Sequence, residues 1–148
     1  MKYSSVVVGT DGSETSLKAV TTAAAIAGAM SIRLIVVCAF NPLTAREQAS
    51  ITSGLDDTRF RVTGTDHARS ALDAAVAAAQ EAGVSEVDGQ LYEGDAVTGL
   101  LATAEENGPA LLVVGNRGMN RLSGRLLGSV PSDVAFRAKC DVLIAHTA

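Results

Sequence analysis

Ile32-Arg-Leu-Ile-Val-Val-Cys-Ala-Phe40 decides the architecture. The run is nearly continuous apolar sequence, and it reads as a strand buried on both faces. Such strands belong to parallel sheets, whose crossover helices cover both sides. Pro42 marks its exit. On the amino side, Val6-Val-Val-Gly9 reads as a first buried strand, and Thr10-Asp-Gly-Ser-Glu14 as a turn with a helix cap. Ser16 to Ile26 is Ala-rich and predicts a helix ending near Gly28. On the carboxyl side, residues 41–65 are polar and weakly patterned. A mobile cover, a partial helix and an extended loop all fit that stretch.

Beyond it, Asp66 to Ala82 predicts a helix stopped near Gly83, and Val87 to Tyr92 a third strand. Gly94-Asp95 forms a loop, Ala96 to Glu106 a helix with Gly108-Pro109 as its stop, and Leu111 to Val114 a fourth strand. Pro131 to Ala138 predicts a short helix with Pro131 in its first turn. Asp141 to Ala145 closes the pattern as a fifth strand. The alternation is βαβ-like throughout and predicts an α/β fold, a mostly parallel sheet with helices on both faces. No repeat, low-complexity tail or boundary divides residues 1–148, so one domain is expected.

The composition fits that reading. The 148 residues are 47% hydrophobic but only 3% aromatic, without tryptophan. The core must therefore be built from Ala, Val, Leu and Ile in closely spaced layers. A net charge of −4 and the absence of a basic stripe argue against a nucleic-acid surface. No apolar run approaches the length that crosses a bilayer, and the first residues lack a signal-peptide pattern, so a cytoplasmic protein without a membrane partner is expected. Cys38 and Cys140 sit in or beside apolar runs and read as small buried hydrophobes, with a disulfide left open. Neither His67 nor His146 has ligand-like spacing to them, so no metal site is expected.

Ligands in open α/β sheets bind outside the carboxyl ends of the strands. Asp11 lies just past the first strand. It is either an acceptor for a ribose or base, a holder of Mg²⁺ through water, or a turn residue bonded to its own backbone. Ser13 reads as the cap of the next helix. After Val114, the segment Gly115-Asn-Arg-Gly118, nine residues, then Gly128-Ser129 forms a strand, glycine loop and helix start. Spaced glycines let backbone N–H groups approach a phosphate, and a helix N-terminus adds donors and a favourable dipole. Ser129 either contacts that anion or caps the following helix. It is not a P-loop, because no Gly-Lys-Ser/Thr follows, nor a dinucleotide fingerprint. Arg117, Arg121 and Arg125 recur every four residues and either clamp phosphates or solvate the loop; Arg117, between two glycines, is the best placed. Asn116 either bonds a phosphate or caps local backbone. Gly94 and Asp95 form another wall or merely a capped loop. Val37 to Phe40 either line an adenine slot or pack the core. Nothing near Asp11 forms a catalytic pair with it.

Taken together, Thr10-Asp-Gly-Ser-Glu14, Gly94-Asp95 and Gly115-x-x-Gly118-(nine residues)-Gly128-Ser129 resemble the universal stress protein family, in its nucleotide-binding branch. The resemblance spans essentially the whole chain, and the Gly-Arg-Leu-Leu-Gly-Ser-Val-Pro segment is similar to that of small single-domain actinobacterial members. It implies an open, twisted five-stranded parallel sheet of order 3-2-1-4-5, of the adenine nucleotide alpha hydrolase-like type. It implies binding of ATP or cyclic AMP, with AMP a third option and Mg²⁺ accompanying ATP. It also implies a homodimer through the last strand, with a regulatory protein partner of unknown identity. By that resemblance Asp11 lies by the base and ribose, Val37 and Cys38 face the adenine, and Gly94 and Asp95 lie near the nucleotide. Gly115, Gly118, Gly128 and Ser129 form the phosphate loop, with Val114, Arg117 and Val130 beside it. One departure stands out: many ATP-binding relatives carry a second serine two places after Ser129, where this chain has Pro131. Proline supplies neither hydroxyl nor N–H, which favours a ligand with one phosphate. Three functions follow from these readings: a regulatory nucleotide binder in stress response, a slow Mg²⁺-dependent ATP hydrolase, and a ligand-independent dimeric adaptor.

Overall fold

In the computed structural model, residues 2–41, 65–116 and 128–147 are described. Five short segments become strands: β1 (Ser5–Gly9), β2 (Arg33–Phe40), β3 (Val87–Glu93), β4 (Ala110–Gly115) and β5 (Asp141–Ala145). Between them lie the helices α1 (Glu14–Met30), α2 (Thr65–Glu81), α3 (Ala96–Glu106) and α4 (Ser129–Arg137). The strands form one sheet in the order β3-β2-β1-β4-β5, and every pairing is parallel. The expected order 3-2-1-4-5 is therefore the observed one.

Strand side chains alternate between faces, and the alternation sorts the core into two layers. Val6, Val8, Leu34, Val36 and Cys38 pack against Ala19, Ala23 and Ala27 of α1 and Ala68, Leu72, Ala75 and Ala79 of α2. Val7, Ile35, Val37, Leu112 and Val114 pack against Val97, Leu100 and Ala104 of α3 and Val134 of α4. Alanine on the helix side lets α1 and α2 lie close to β-branched strands, which explains a core almost free of aromatic rings.

The split has a topological consequence. The crossovers through α1 and α2 run on one face and those through α3 and α4 on the other. The chain reverses its winding between β1 and β4, the point at which α/β sheets open a crevice.

Two helix boundaries differ from expectation. Helix α1 passes through Gly28 to Met30 and ends at Ser31, which adopts φ 56° and donates its N–H to the carbonyls of Ala27 and Gly28. Gly28 sits inside the helix because nothing there requires a positive φ. Helix α4 begins at Ser129 rather than Pro131, with Gly128 as its N-cap and no side-chain cap bond. Ser129 is therefore the first helical residue, not the cap. Both cysteines are free thiols, Cys38 buried and Cys140 half-buried. Among the described residues, no helix is long and apolar enough to cross a membrane, and no group of three or more His, Cys, Asp or Glu side chains is gathered to hold a metal.

Candidate functional site

Beyond Gly9, the Thr10 N–H donates to Val37 O at 2.9 Å, which carries the β1–β2 pairing to the edge of the sheet. The chain then turns sharply. Gly12 takes φ +88°, and a Cβ there would stand 3.1 Å from Ala71 Cβ of α2, so both the angle and the approach call for glycine. Asp11 Oδ1 accepts from Ser13 N–H at 2.9 Å. Ser13 caps α1, its Oγ accepting from Ser16 N–H at 3.1 Å. The Ser16 hydroxyl donates to Ser13 O at 2.8 Å and lies 3.1 Å from Thr10 Oγ1. Ser16 N–H, one of the first donors of α1, is thus satisfied within the turn, and a carboxylate already lies at the positive end of the helix dipole.

Across the crevice, α4 presents the opposite situation. Gly128 N–H donates to Asn116 O at 3.1 Å, and the first intrahelical bond runs from Ser132 N–H to Gly128 O at 3.1 Å. The N–H groups of Ser129 and Val130 precede any helical acceptor, and Pro131 has none to offer. The N-termini of α1 and α4 therefore face one cleft, the first capped by its own turn and the second without a side-chain cap.

The described residues enclose about 110 Å³ between them. Gly9, Thr10 and Asp11 form one wall, Val37 and Ala39 a second, Val114 and Gly115 a third, and Val130 with Pro131 a fourth. Ala96 and Leu100 of α3 close the bottom. The lining is apolar apart from the Thr10 and Ser16 hydroxyls, the Asp11 carboxylate and backbone groups. A flat apolar base, a hydroxylated sugar and an anion would each find matching chemistry in such a lining.

The expected site residues separate into groups. Asp11, Val37, Val114, Gly115 and Val130 line the cleft, and Gly128 and Ser129 precede Val130 as the N-cap and first residue of α4 without lining it themselves. The Cys38 side chain does not join them. One residue on from Val37, it points to the other face of the sheet, where burial and then the Asp11 carboxylate push its thiol pKa up. Gly94, with φ +136°, connects β3 to α3 and donates its N–H to Phe40 O at 2.8 Å. Asp95 caps α3, its Oδ2 accepting from Thr98 N–H and Oγ1, each at 3.0 Å, which holds its carboxyl below the ordinary range. The cleft is reached by the next residue, Ala96. Asn116 directs its side chain to the carboxyl-terminal tail. Arg117, Gly118, Arg121 and Arg125 lie outside the described residues.

Sequence reasoning included Ala39 only within the Val37 to Phe40 run, and passed over Ala96, Leu100 and the hydroxyls of Thr10 and Ser16. The period-two rule held the signal for Ala39, since a cleft-facing Val37 implies Ala39 rather than Cys38. The hydroxyl pair arises from a turn geometry that no spacing encodes.

A larger groove of about 850 Å³ lies at the opposite edge of the sheet, among Tyr3, Leu101, Pro109, Phe136 and Cys140. It faces the amino ends of the strands and the carboxyl ends of α3 and α4, where the helix dipoles repel anions. The smaller cleft is therefore the candidate site.

Comparison with known proteins bears on its chemistry. The sequence model of the Universal stress protein family matches residues 2–146. Universal stress protein Rv1636 of Mycobacterium tuberculosis H37Rv is 46% identical over 145 residues, which cover 98% of this chain and 97% of that protein. A crystal structure of a universal stress protein in complex with cAMP aligns over 100% of both chains, with a TM-score of 0.73 and 40% identity. UspA from Lactobacillus plantarum shares the fold at a TM-score of 0.78 and 19% identity, covering 97% of this chain and 98% of its own.

Proposed function

The chain belongs to the universal stress protein family, and from that premise we propose that it is a regulatory adenine nucleotide-binding protein of the stress response, taking ATP or cyclic AMP at the carboxyl ends of β1 and β4. The observation that carries this reading is the pairing of a self-capped α1 with an α4 that lacks a side-chain cap, on two sides of one apolar cleft. An anion is stabilised at the α4 end and repelled by Asp11 at the α1 end, so the cleft has a direction. The base lies against Val37, Ala39 and Val114. Asp11 accepts from the base or ribose. Gly115, Gly128, Ser129 and Val130, with Arg117 and Gly118 of the neighbouring loop, take the phosphate. Gly94 and Asp95 hold the loop that sets Ala96 at the bottom.

Pro131 weighs on the choice of nucleotide. It removes one N–H from the first turn of α4, leaving those of Ser129 and Val130. Two backbone donors suit one phosphate better than three, which favours cyclic AMP or AMP over ATP. The cAMP complex of a protein 40% identical supports the same preference. ATP binding would lean on Arg117 and on Mg²⁺ held near Asp11. Asp11 is the one carboxylate lining the cleft among the described residues. Among the described residues no second carboxylate and no histidine lines the cleft beside it, which favours binding over turnover.

The nucleotide acts as a signal if it binds two states of the protein unequally. A homodimer through β5, a sheet-edge strand whose Ile144 is 38% exposed, would carry that signal to a regulatory partner. Calorimetry on nucleotide-stripped protein with ATP, AMP and cyclic AMP, with and without Mg²⁺, tests the proposal. Saturable metal-independent binding of cyclic AMP or AMP is expected. Mg²⁺-dependent preference for ATP would reverse the order, and no binding by any of the three would end the reading.

A further inference from the structure

Asn116 follows the last residue of β4 and is joined to two separate parts of the chain, the end of β5 with its tail and the start of α4. Its N–H donates to Ala145 O at the end of β5 at 2.8 Å, and its carbonyl accepts from Gly128 N–H at 3.1 Å. Its side-chain Oδ1 accepts from the N–H of Thr147 at 2.9 Å and from the Thr147 hydroxyl at 3.0 Å. A backbone N–H can only donate, so these bonds fix Oδ1 toward Thr147 and turn Nδ2 to His146 Nδ1 at 3.5 Å. Thr147 is 1% exposed, so two donors would be stranded out of water if Oδ1 were removed.

A residue just past the end of a strand has no ladder to set the direction of its carbonyl. At Asn116 the side chain sets it, because Oδ1 is locked to Thr147 while the main-chain carbonyl faces Gly128. Gly128 is the N-cap of α4, the helix end with no side-chain cap. We infer that Asn116 is a positioning residue for the bound phosphate: anchored by Thr147, it holds the Gly128 end of α4 in place and so aims the donors of that helix without touching the ligand. This rests on the nucleotide-binding reading above and adds to it the residue that sets the geometry of its anion end. It also joins the cleft to the tail of the edge strand β5 through a single side chain.

The test separates the phosphate from the rest of the ligand. Affinities for adenosine and for AMP are measured by calorimetry on the unmutated chain and on Asn116→Ala, Thr147→Val and Thr147→Ser. The readout is the factor by which AMP binds more tightly than adenosine. That factor is expected to fall roughly tenfold in Asn116→Ala, by a few-fold in Thr147→Val, and to return in Thr147→Ser, while adenosine affinity stays within about twofold throughout. Thr147→Val carries the test if Asn116→Ala does not fold. An unchanged factor in the variants, or adenosine and AMP weakening in parallel, overturns the positioning role and leaves nucleotide binding intact. An unmutated chain that binds AMP no better than adenosine overturns it as well. Failure of that chain to bind any adenine compound brings down the nucleotide reading and this inference with it.

Discussion

Gly28 and Gly99 both lie inside helices, yet alanine is expected to move stability in opposite directions at the two sites. Replacing an interior helical glycine by alanine gains roughly 0.5–1 kcal/mol, through backbone entropy and helix propensity. At Gly28 the new Cβ would meet only Gly83 O, at 3.9 Å, an ordinary contact. The gain stands, at its lower end because Gly28 is in the last turn of α1. At Gly99 the Cβ would lie 2.6 Å from Tyr92 Cδ2, 2.7 Å from Cγ and 3.2 Å from Cβ. Two of those atoms are at the root of the tyrosine side chain. The ring cannot swing clear unless α3 or β3 moves. Overpacking of this kind costs about 1–3 kcal/mol, so it exceeds the helical gain and leaves a net loss of about 1–2 kcal/mol. In a chain of this size each kcal/mol shifts the melting temperature by roughly 2–4 °C. Gly28→Ala is then expected to melt roughly 1–2 °C higher and Gly99→Ala roughly 2–8 °C lower. Melts followed by circular dichroism, with urea midpoints beside them, read both. In a Tyr92→Ala background the obstacle is gone, and Gly99→Ala should become neutral or stabilising. A stabilising Gly99→Ala with Tyr92 present, or an effect that ignores Tyr92, would refute the steric argument.

Three further outcomes are expected. Gly128→Asp supplies α4 with the cap it lacks, so stability should hold or rise by a few tenths of a kcal/mol, whereas AMP affinity should fall at least about tenfold as the carboxylate takes the place of the phosphate; calorimetry showing undiminished AMP binding would count against the α4 anion site. Ser13→Ala removes the acceptor for Ser16 N–H and should cost about 1 kcal/mol, read from urea midpoints with Ser13→Asp as the restoring control. The hydrogen bonds from Lys2 and then Tyr3 hold the Asp141 carboxyl below its ordinary value, and the same contact raises Lys2. The carboxylate's share of stability is present above about pH 4 and lost as pH falls through its lowered pKa; the lysine's is present below about pH 10 and lost as pH rises past it. Urea midpoints from pH 2.5 to 7 should therefore show a flatter acid limb in Asp141→Asn, and an unchanged limb would mean that the pair has no effect on folding.

The sequence was most legible where one kind of force acts alone. Asp141 to Ala145 and Ala96 to Glu106 have the expected limits, because a short apolar run after a polar turn and a capping Asp95 leave few alternatives. The strand order followed from resemblance; periodicity alone required only a parallel sheet. Legibility declined where a residue serves two roles. Gly28 reads as a helix stop, but a glycine ends a helix only where the chain needs a positive φ, and here Ser31 provides it. Pro131 reads as the opening residue of α4, yet its missing N–H is harmless anywhere in the first turn, so it could not fix the start at Ser129. Val37 and Cys38 were read as one adenine-facing pair, although neighbouring strand residues take opposite faces. The tie from Asn116 to Thr147 was invisible for a different reason: it joins residues brought together by the β4–β5 pairing, and neither side chain announces the other.

The parallel register also sets an order of assembly. Val6 pairs with Leu34 on one side and with Leu111 on the other. Its first partner is made soon after it. The second arrives only when, among the described residues, two more strands and three helices have been synthesised. During translation the β1–β2–β3 half can close around α1 and α2, while the other edge of β1 stays unpaired until β4 emerges. Local contacts form early and distant ones late. The crevice between β1 and β4 thus closes after the β1–β2 and β2–β3 seams, and the cleft proposed to hold the nucleotide is complete only once the first turn of α4 has been made.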